Sequence, residues 1–138
     1  MSIFFDLEST GLSVNSDDIV CAVTKKGDEI ICWREEPTPK RFTPDLAHKL
    51  ALYLINDGSS HLCTFNGLAF DVPILLAHME DPVLQLNLVK LALYNHVDIF
   101  YDFLTSVGYR TSLNSFLQNT DFQKPMSGED AAALVRFF

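Results

Sequence analysis

Positive charge is scarce in this chain. Of its 138 residues, 10 are Lys or Arg and 18 are Asp or Glu, a net charge of −8. A general electrostatic grip on polyanions needs Lys and Arg set against phosphates, so the charge argues against that mode of binding without excluding a nucleic-acid substrate. Cysteine is also sparse. Cys21, Cys32 and Cys63 are odd in number and widely spaced, with no Cys-x-x-Cys pair. No disulfide framework is expected, only free thiols kept in a reducing compartment. No uninterrupted apolar run is long enough to cross a membrane. The opening MSIFFD lacks the basic region and long apolar core of a signal peptide. Internal repeats, low-complexity segments and interdomain linkers are missing too. These absences lead us to expect a cytoplasmic protein with no membrane partner.

What is present is apolar bulk. Hydrophobic residues make up 48 % of the chain and aromatics 12 %, enough for one compact domain spanning residues 1–138. Ile19 to Val23 and Glu29 to Trp33 are β-rich runs about Lys25-Lys26-Gly27-Asp28, a hairpin signal. Thr43-Pro44-Asp45 opens a helix: Thr caps, Pro fits the first turn and Asp complements the dipole. Leu46, Leu50, Leu54 and Ile55 follow at helical spacing. A strand from His61 to Phe65, helices over 71–79 and 82–93, a strand from His96 to Phe100 and short helices over 101–107 and 112–118 come next. A capping pattern at Ser127, with Asp130 three residues on, opens a final helix. Helices alternating with strands after a hairpin give an α/β class. The loop 34–42 carries Arg34, Lys40 and Arg41, read as a solvated loop with a weak claim to a phosphate contact.

Chemistry concentrates in two stretches. In IFFDLESTGL, residues 3–12, an apolar strand ends in Asp6 and Glu8. At i and i+2 on a strand both acids point to one face and Leu7 to the other. Two carboxylates side by side repel unless a cation lies between them. The plainer alternative is a strand running out into a solvated acidic turn. In HLCTFNGLAFDVPILL, residues 61–76, a strand, an Asn66-Gly67 turn and a helix start place Asp71 just past a strand end. Were the two strands parallel neighbours, all three acids would meet at the sheet's carboxyl edge, where open α/β sheets hold ligands. Such an oxygen-rich set suits Mg²⁺ or Mn²⁺. Asn-Gly as a simple turn, with Asp71 as a first-turn helix charge, is the competing reading.

Asp6-x-Glu8-x-Thr10-Gly11-Leu12 resembles the first motif of the DEDD superfamily of 3′→5′ exonucleases, and Asn66-x-x-x-Phe70-Asp71 resembles the second, continued by Pro73-Ile74-Leu75. Order and gap both match, and the likeness covers nearly the whole chain. It implies an RNase H-like fold, a mixed five-stranded sheet with helices on both faces. It also implies a two-metal hydrolase, with two Mg²⁺ or Mn²⁺ ions, that removes nucleotides from the 3′ end of single-stranded DNA or RNA. By the same resemblance Asp6 bridges both ions, Glu8 orients the one on the nucleophile side and Asp71 holds the other through water. Thr10, Gly11 and Leu12 would then hold the terminal nucleotide, with Asn66 and Phe70 along the strand path. Leu12 and Phe70 serve equally well as core residues.

The family's third motif, a Tyr or His followed by a fourth acid, has no clear match. Tyr94-x-x-x-Asp98 has the Tyr-type spacing but spans a helix end and a strand, so both are held as extra candidates only. Three readings stay open: an exonuclease domain lacking its last helix, a complete nuclease with a borrowed fourth acid, and a noncatalytic module for nucleic-acid or partner binding. A missing helix would leave apolar surface near Phe137 and Phe138, which favours pairing of two chains.

Overall fold

The computed structural model describes residues 2–11, 18–35, 42–56, 61–108, 110, 112–116 and 118. Leu12, Lys40, Arg41, the expected helix from Ser127 with Asp130, and Phe137 and Phe138 lie outside them.

The sheet is built around β1 (Ser2–Ser9). Its alternation is strict: Ile3, Phe5 and Leu7 are buried, while Phe4 and Asp6 face the other way. β2 (Ile19–Lys26) pairs antiparallel with β1, and β3 (Glu29–Trp33) antiparallel with β2. β2 extends beyond the expected Val23 because Thr24 is buried, with its hydroxyl accepting from Trp33 Nε1 at 2.9 Å. The turn shrinks to Gly27-Asp28, with Gly27 at φ 60°. On the other flank, β4 (His61–Thr64) runs parallel to β1, and β5 (His96–Asp98) parallel to β4. The order is β3-β2-β1-β4-β5, a mixed five-stranded sheet with β1 in the middle.

Helix α1 (Pro44–Ile55) starts where its sequence says, with Thr43 accepting from Leu46 N–H, and buries Ala47, Leu50, Ala51 and Leu54. α2 (Asp71–Ala77) and α3 (Pro82–Tyr94) complete that layer, contributing Ile74, Leu75 and Leu88 to the core shared with Ile3, Phe5 and Leu62. The Gln85 amide donates to Leu76 O and Met79 O and locks the corner between them. On the opposite face α4 (Ile99–Val107) brings Phe100 against Phe65. α5 (Leu113–Phe116) is a single turn.

The expected end of the fifth strand is wrong. The strand from His96 does not reach Phe100; it stops at Asp98 and a helix begins at Ile99. The Asp98 carboxylate accepts from Phe100 N–H at 3.1 Å, so a side-chain cap overrides the strand preference of Ile-Phe-Tyr. Gly108 ends α4 in the left-handed region, φ 80°.

Candidate active site at the carboxyl ends of the parallel strands

β1 and β4 share only Ser2 to Phe4 in register with His61 to Cys63, so β1 runs on beyond its neighbour. Its tail carries Asp6 and Glu8 on one face, and β4 turns at Asn66-Gly67 into α2, whose first residue is Asp71. The result is an open cleft of about 410 Å³, within the usual range of ligand sites. Asp6, Glu8 and Asp71 line it together with Phe65, Asn66, Phe70 and Phe100. The expected convergence of three acids at the sheet edge is therefore what the fold produces, and Asn66 and Phe70 stand beside them.

Asp71 is the unusual group. Its side chain is buried, at 7 % exposure, and Oδ2 has no hydrogen-bond partner. Burial, followed by the charges of Asp6, Glu8 and Asp98, pushes its carboxyl up to about 8, against a smaller lowering by the Leu7 backbone N–H. Among the described residues, no group of three His, Cys, Asp or Glu side chains is arranged to hold a metal ion. Yet a buried carboxylate oxygen without a donor, flanked by two further acids, is a donor set that fits a hard divalent cation.

The turn that delivers Asp71 is held by several bonds. Asn66 takes φ 62°, a left-handed conformation rare for a residue with a side chain but tolerated by Asn. Its N–H donates to Asp98 Oδ1 at 2.7 Å, and Leu68 N–H donates to Asp98 Oδ2 at 3.0 Å. Gly67 N–H donates to Thr64 Oγ1 at 3.1 Å. A Cβ at Gly67 would lie 2.5 Å from Thr64 Cβ and Oγ1, so glycine is required here by close approach. Gly67→Ala is expected to cost about 1–3 kcal/mol through overpacking, read as a lower urea midpoint with an unchanged slope. An unaltered midpoint would show that the turn yields freely.

His96 joins this network from β5. Nδ1 lies 3.3 Å from the Ala92 carbonyl, which only accepts, so Nδ1 carries the proton and Nε2 accepts from the Thr64 hydroxyl at 2.7 Å. Burial holds His96 neutral by pushing its pKa down, more than Asp98 and the Ala92 bond raise it. It braces Thr64 and does not enter the cleft lining.

The remaining candidates fall elsewhere. Both Asp98 oxygens are taken up by backbone N–H groups, and Asp98 is not part of the cleft wall. Tyr94 is 79 % exposed at the end of α3 and shares no element with Asp98. Thr10 is buried and exchanges bonds with Asp18: its N–H donates to Asp18 O at 2.9 Å and its hydroxyl accepts from Asp18 N–H at 3.0 Å. Gly11 O accepts from the Ser9 hydroxyl. Neither Thr10 nor Gly11 lines the cleft, so they shape the strand's exit. Sequence reasoning missed Phe65 and Phe100, whose rings meet edge to face at 5.6 Å and 76°. For Phe65 a signal existed, since β4 alternation carries it to the same face as Asp6; for Phe100 there was none.

A central strand delivering two acids, with a third from the helix after the parallel neighbour, defines an α/β protein with an acidic cleft at its strand ends. The family model described as the RNase_H superfamily matches residues 3–138, and the chain belongs to that superfamily. Among solved structures it is similar to an exonuclease I (TM-score 0.62, 10 % identity, covering 99 % of this chain and 39 % of that one). It is also similar to a zinc-ion-bound E. coli exonuclease I–single-stranded DNA complex (TM-score 0.59, 10 % identity, 99 % and 39 %). A third is E. coli exonuclease I with a dT13 oligonucleotide (TM-score 0.51, 9 % identity, 75 % and 29 %). The chain spans about two-fifths of the length of the first of these, and at such identity the likeness speaks for the fold. No curated protein matches the sequence.

Proposed function

We propose that this domain is a DEDD-type 3′→5′ exonuclease that hydrolyses phosphodiester bonds at the 3′ end of a single strand, with Mg²⁺ or Mn²⁺ held by Asp6, Glu8 and Asp71. One observation carries the reading: Asp71 Oδ2 is buried without a donor beside two more acids, an arrangement that costs free energy until a cation arrives. The bound ions would supply Lewis-acid stabilisation of charge developing on the phosphoryl oxygens. The chain's own part is placement. β1 fixes Asp6 and Glu8 side by side, and the start of α2 fixes Asp71 opposite them. Phe65, Phe70 and Phe100 give the cleft an aromatic wall on which bases can stack without regard to sequence. That suits an acidic protein, because stacking supplies contact that phosphate-binding cations would otherwise provide.

The test is a 5′-labelled single-stranded oligonucleotide incubated with Mn²⁺. A ladder shortening from the 3′ end, abolished by EDTA and by Glu8→Gln, is expected. No cleavage, together with no calorimetric heat of Mn²⁺ binding, would favour a noncatalytic module on the same fold.

A further inference from the structure

We infer that Asp98 is a positioning residue that holds the Phe65–Phe100 pair as the base-stacking wall of the cleft, and is not a metal ligand. The inference rests on the nuclease reading above for its substrate and on geometry for its mechanism.

Asp98 ends β5 directly opposite Thr64, the last residue of β4. Its carboxylate accepts three backbone N–H groups: Asn66 at 2.7 Å, Leu68 at 3.0 Å and Phe100 at 3.1 Å. Two belong to the turn that follows Phe65, and the third belongs to Phe100 itself. One buried carboxylate therefore ties together the two segments whose rings meet. Charge-assisted bonds of this length are stronger than neutral ones, and a carboxylate has acceptor sites for all three. The Asn66 bond also holds that residue at φ 62°, a conformation that needs support from its surroundings. Phe100 is further buttressed by Tyr101, ring to ring at 5.3 Å and 88°. Asp98 is not among the residues that line the cleft, and three of its acceptor sites are already taken by backbone N–H groups, which leaves it poorly placed to serve as a ligand.

An amide in place of the carboxylate cannot satisfy the same donors, because its nitrogen meets an N–H with an N–H. The first arm of the test needs no substrate. In Asp98→Asn, backbone amide exchange at Leu68, or at Asn66 and Phe100 together, according to which oxygen the amide nitrogen replaces, should rise about tenfold or more above the change at core amides, and Phe65–Phe100 ring cross-peaks in NMR should weaken. Unchanged exchange and cross-peaks overturn the inference whatever the activity. The second arm is kinetic. KM for a single-stranded oligonucleotide should rise on the order of tenfold, the scale of one stacked base, with kcat changed by less than about threefold. Mn²⁺ affinity should stay within about threefold of wild type. A tenfold loss of Mn²⁺ affinity would make Asp98 a ligand and sink the proposal. Phe65→Leu should raise KM in the wild type but add little in Asp98→Asn, a non-additivity that a general loss of stability does not produce. Should the Asn variant not fold, Asp98→Ser keeps a cap for Phe100 while losing the turn's acceptors and undergoes the same measurements. If wild type fails to cleave while the first arm succeeds, the nuclease reading falls and the positioning of the aromatic pair stands.

Discussion

Asp71→Asn is expected to make the metal-free protein more stable by ~2–3 kcal/mol at pH 8, and by much less at pH 4. The sign follows from the proton. Burial lifts the Asp71 carboxyl to about 8 in the folded protein from the 3.8 of a free aspartate, so the native state keeps a proton that the unfolded chain releases. The stability this provides is complete below the unfolded value and is lost as pH rises toward the folded one, with a slope of at most about 1.4 kcal/mol per pH unit. Asn carries no such linkage, so the two proteins diverge across the window from about 4 to about 8. The full integral would exceed the expected gain. Part is offset because Asn leaves an amide hydrogen in the pocket where Asp71 Oδ2 stood unpartnered. Guanidinium titrations in EDTA at pH 4, 6 and 8 would measure the divergence. Equal midpoint shifts at every pH would show that Asp71 is not held protonated. Added Mn²⁺ should reverse the order, since an ion that binds only the native state stabilises it in proportion to the logarithm of its concentration over Kd.

Asp6→Asn should leave a folded protein that has lost metal-dependent cleavage, by about 10²–10⁴-fold, the scale of removing one positioned catalytic group. Asp6 is on the solvent-facing side of β1, paired in register with Val23, so an isosteric amide disturbs no packing. Relieving its repulsion on Asp71 should raise metal-free stability slightly. Far-UV circular dichroism through a thermal ramp, run beside the labelled-oligonucleotide assay, separates the two effects. A variant that melts early, or that cleaves as fast as wild type, would remove Asp6 from the site.

Much of this architecture is legible in the chain because the cues are local. The strict alternation of Ile3, Phe5 and Leu7 against Asp6 and Glu8, the Thr43-Pro44 start and the helix start at Pro82 each act within a few residues, and the fold honours them. Asp71 was findable because a turn followed by a helix fixes an acid near a strand end. What escaped notice depends on partners distant in sequence. Asp98 reads as a strand-end residue and is one, but its service as acceptor for the N–H groups of Asn66 and Leu68, about thirty positions earlier, has no local cue. The exchange of bonds between Thr10 and Asp18 likewise joins residues that no local pattern pairs. Phe100 looks like strand filling until Phe65 is beside it.

The Asn66-Gly67 pair has a consequence for how this protein ages. In an extended or disordered chain, the backbone nitrogen of a glycine after asparagine can attack the side-chain amide, closing a succinimide that reopens as aspartate or isoaspartate. Here that nitrogen points its hydrogen at the Thr64 hydroxyl, and Asn66 is clamped at φ 62° by the Asp98 carboxylate. Neither group is free to reach the geometry that ring closure needs. The folded cleft thus shelters one of the most fragile dipeptides in protein chemistry, and every spell of unfolding exposes it. Damage at this position would accumulate as a record of time spent unfolded, and it would bend the backbone at the residue that leads into Asp71.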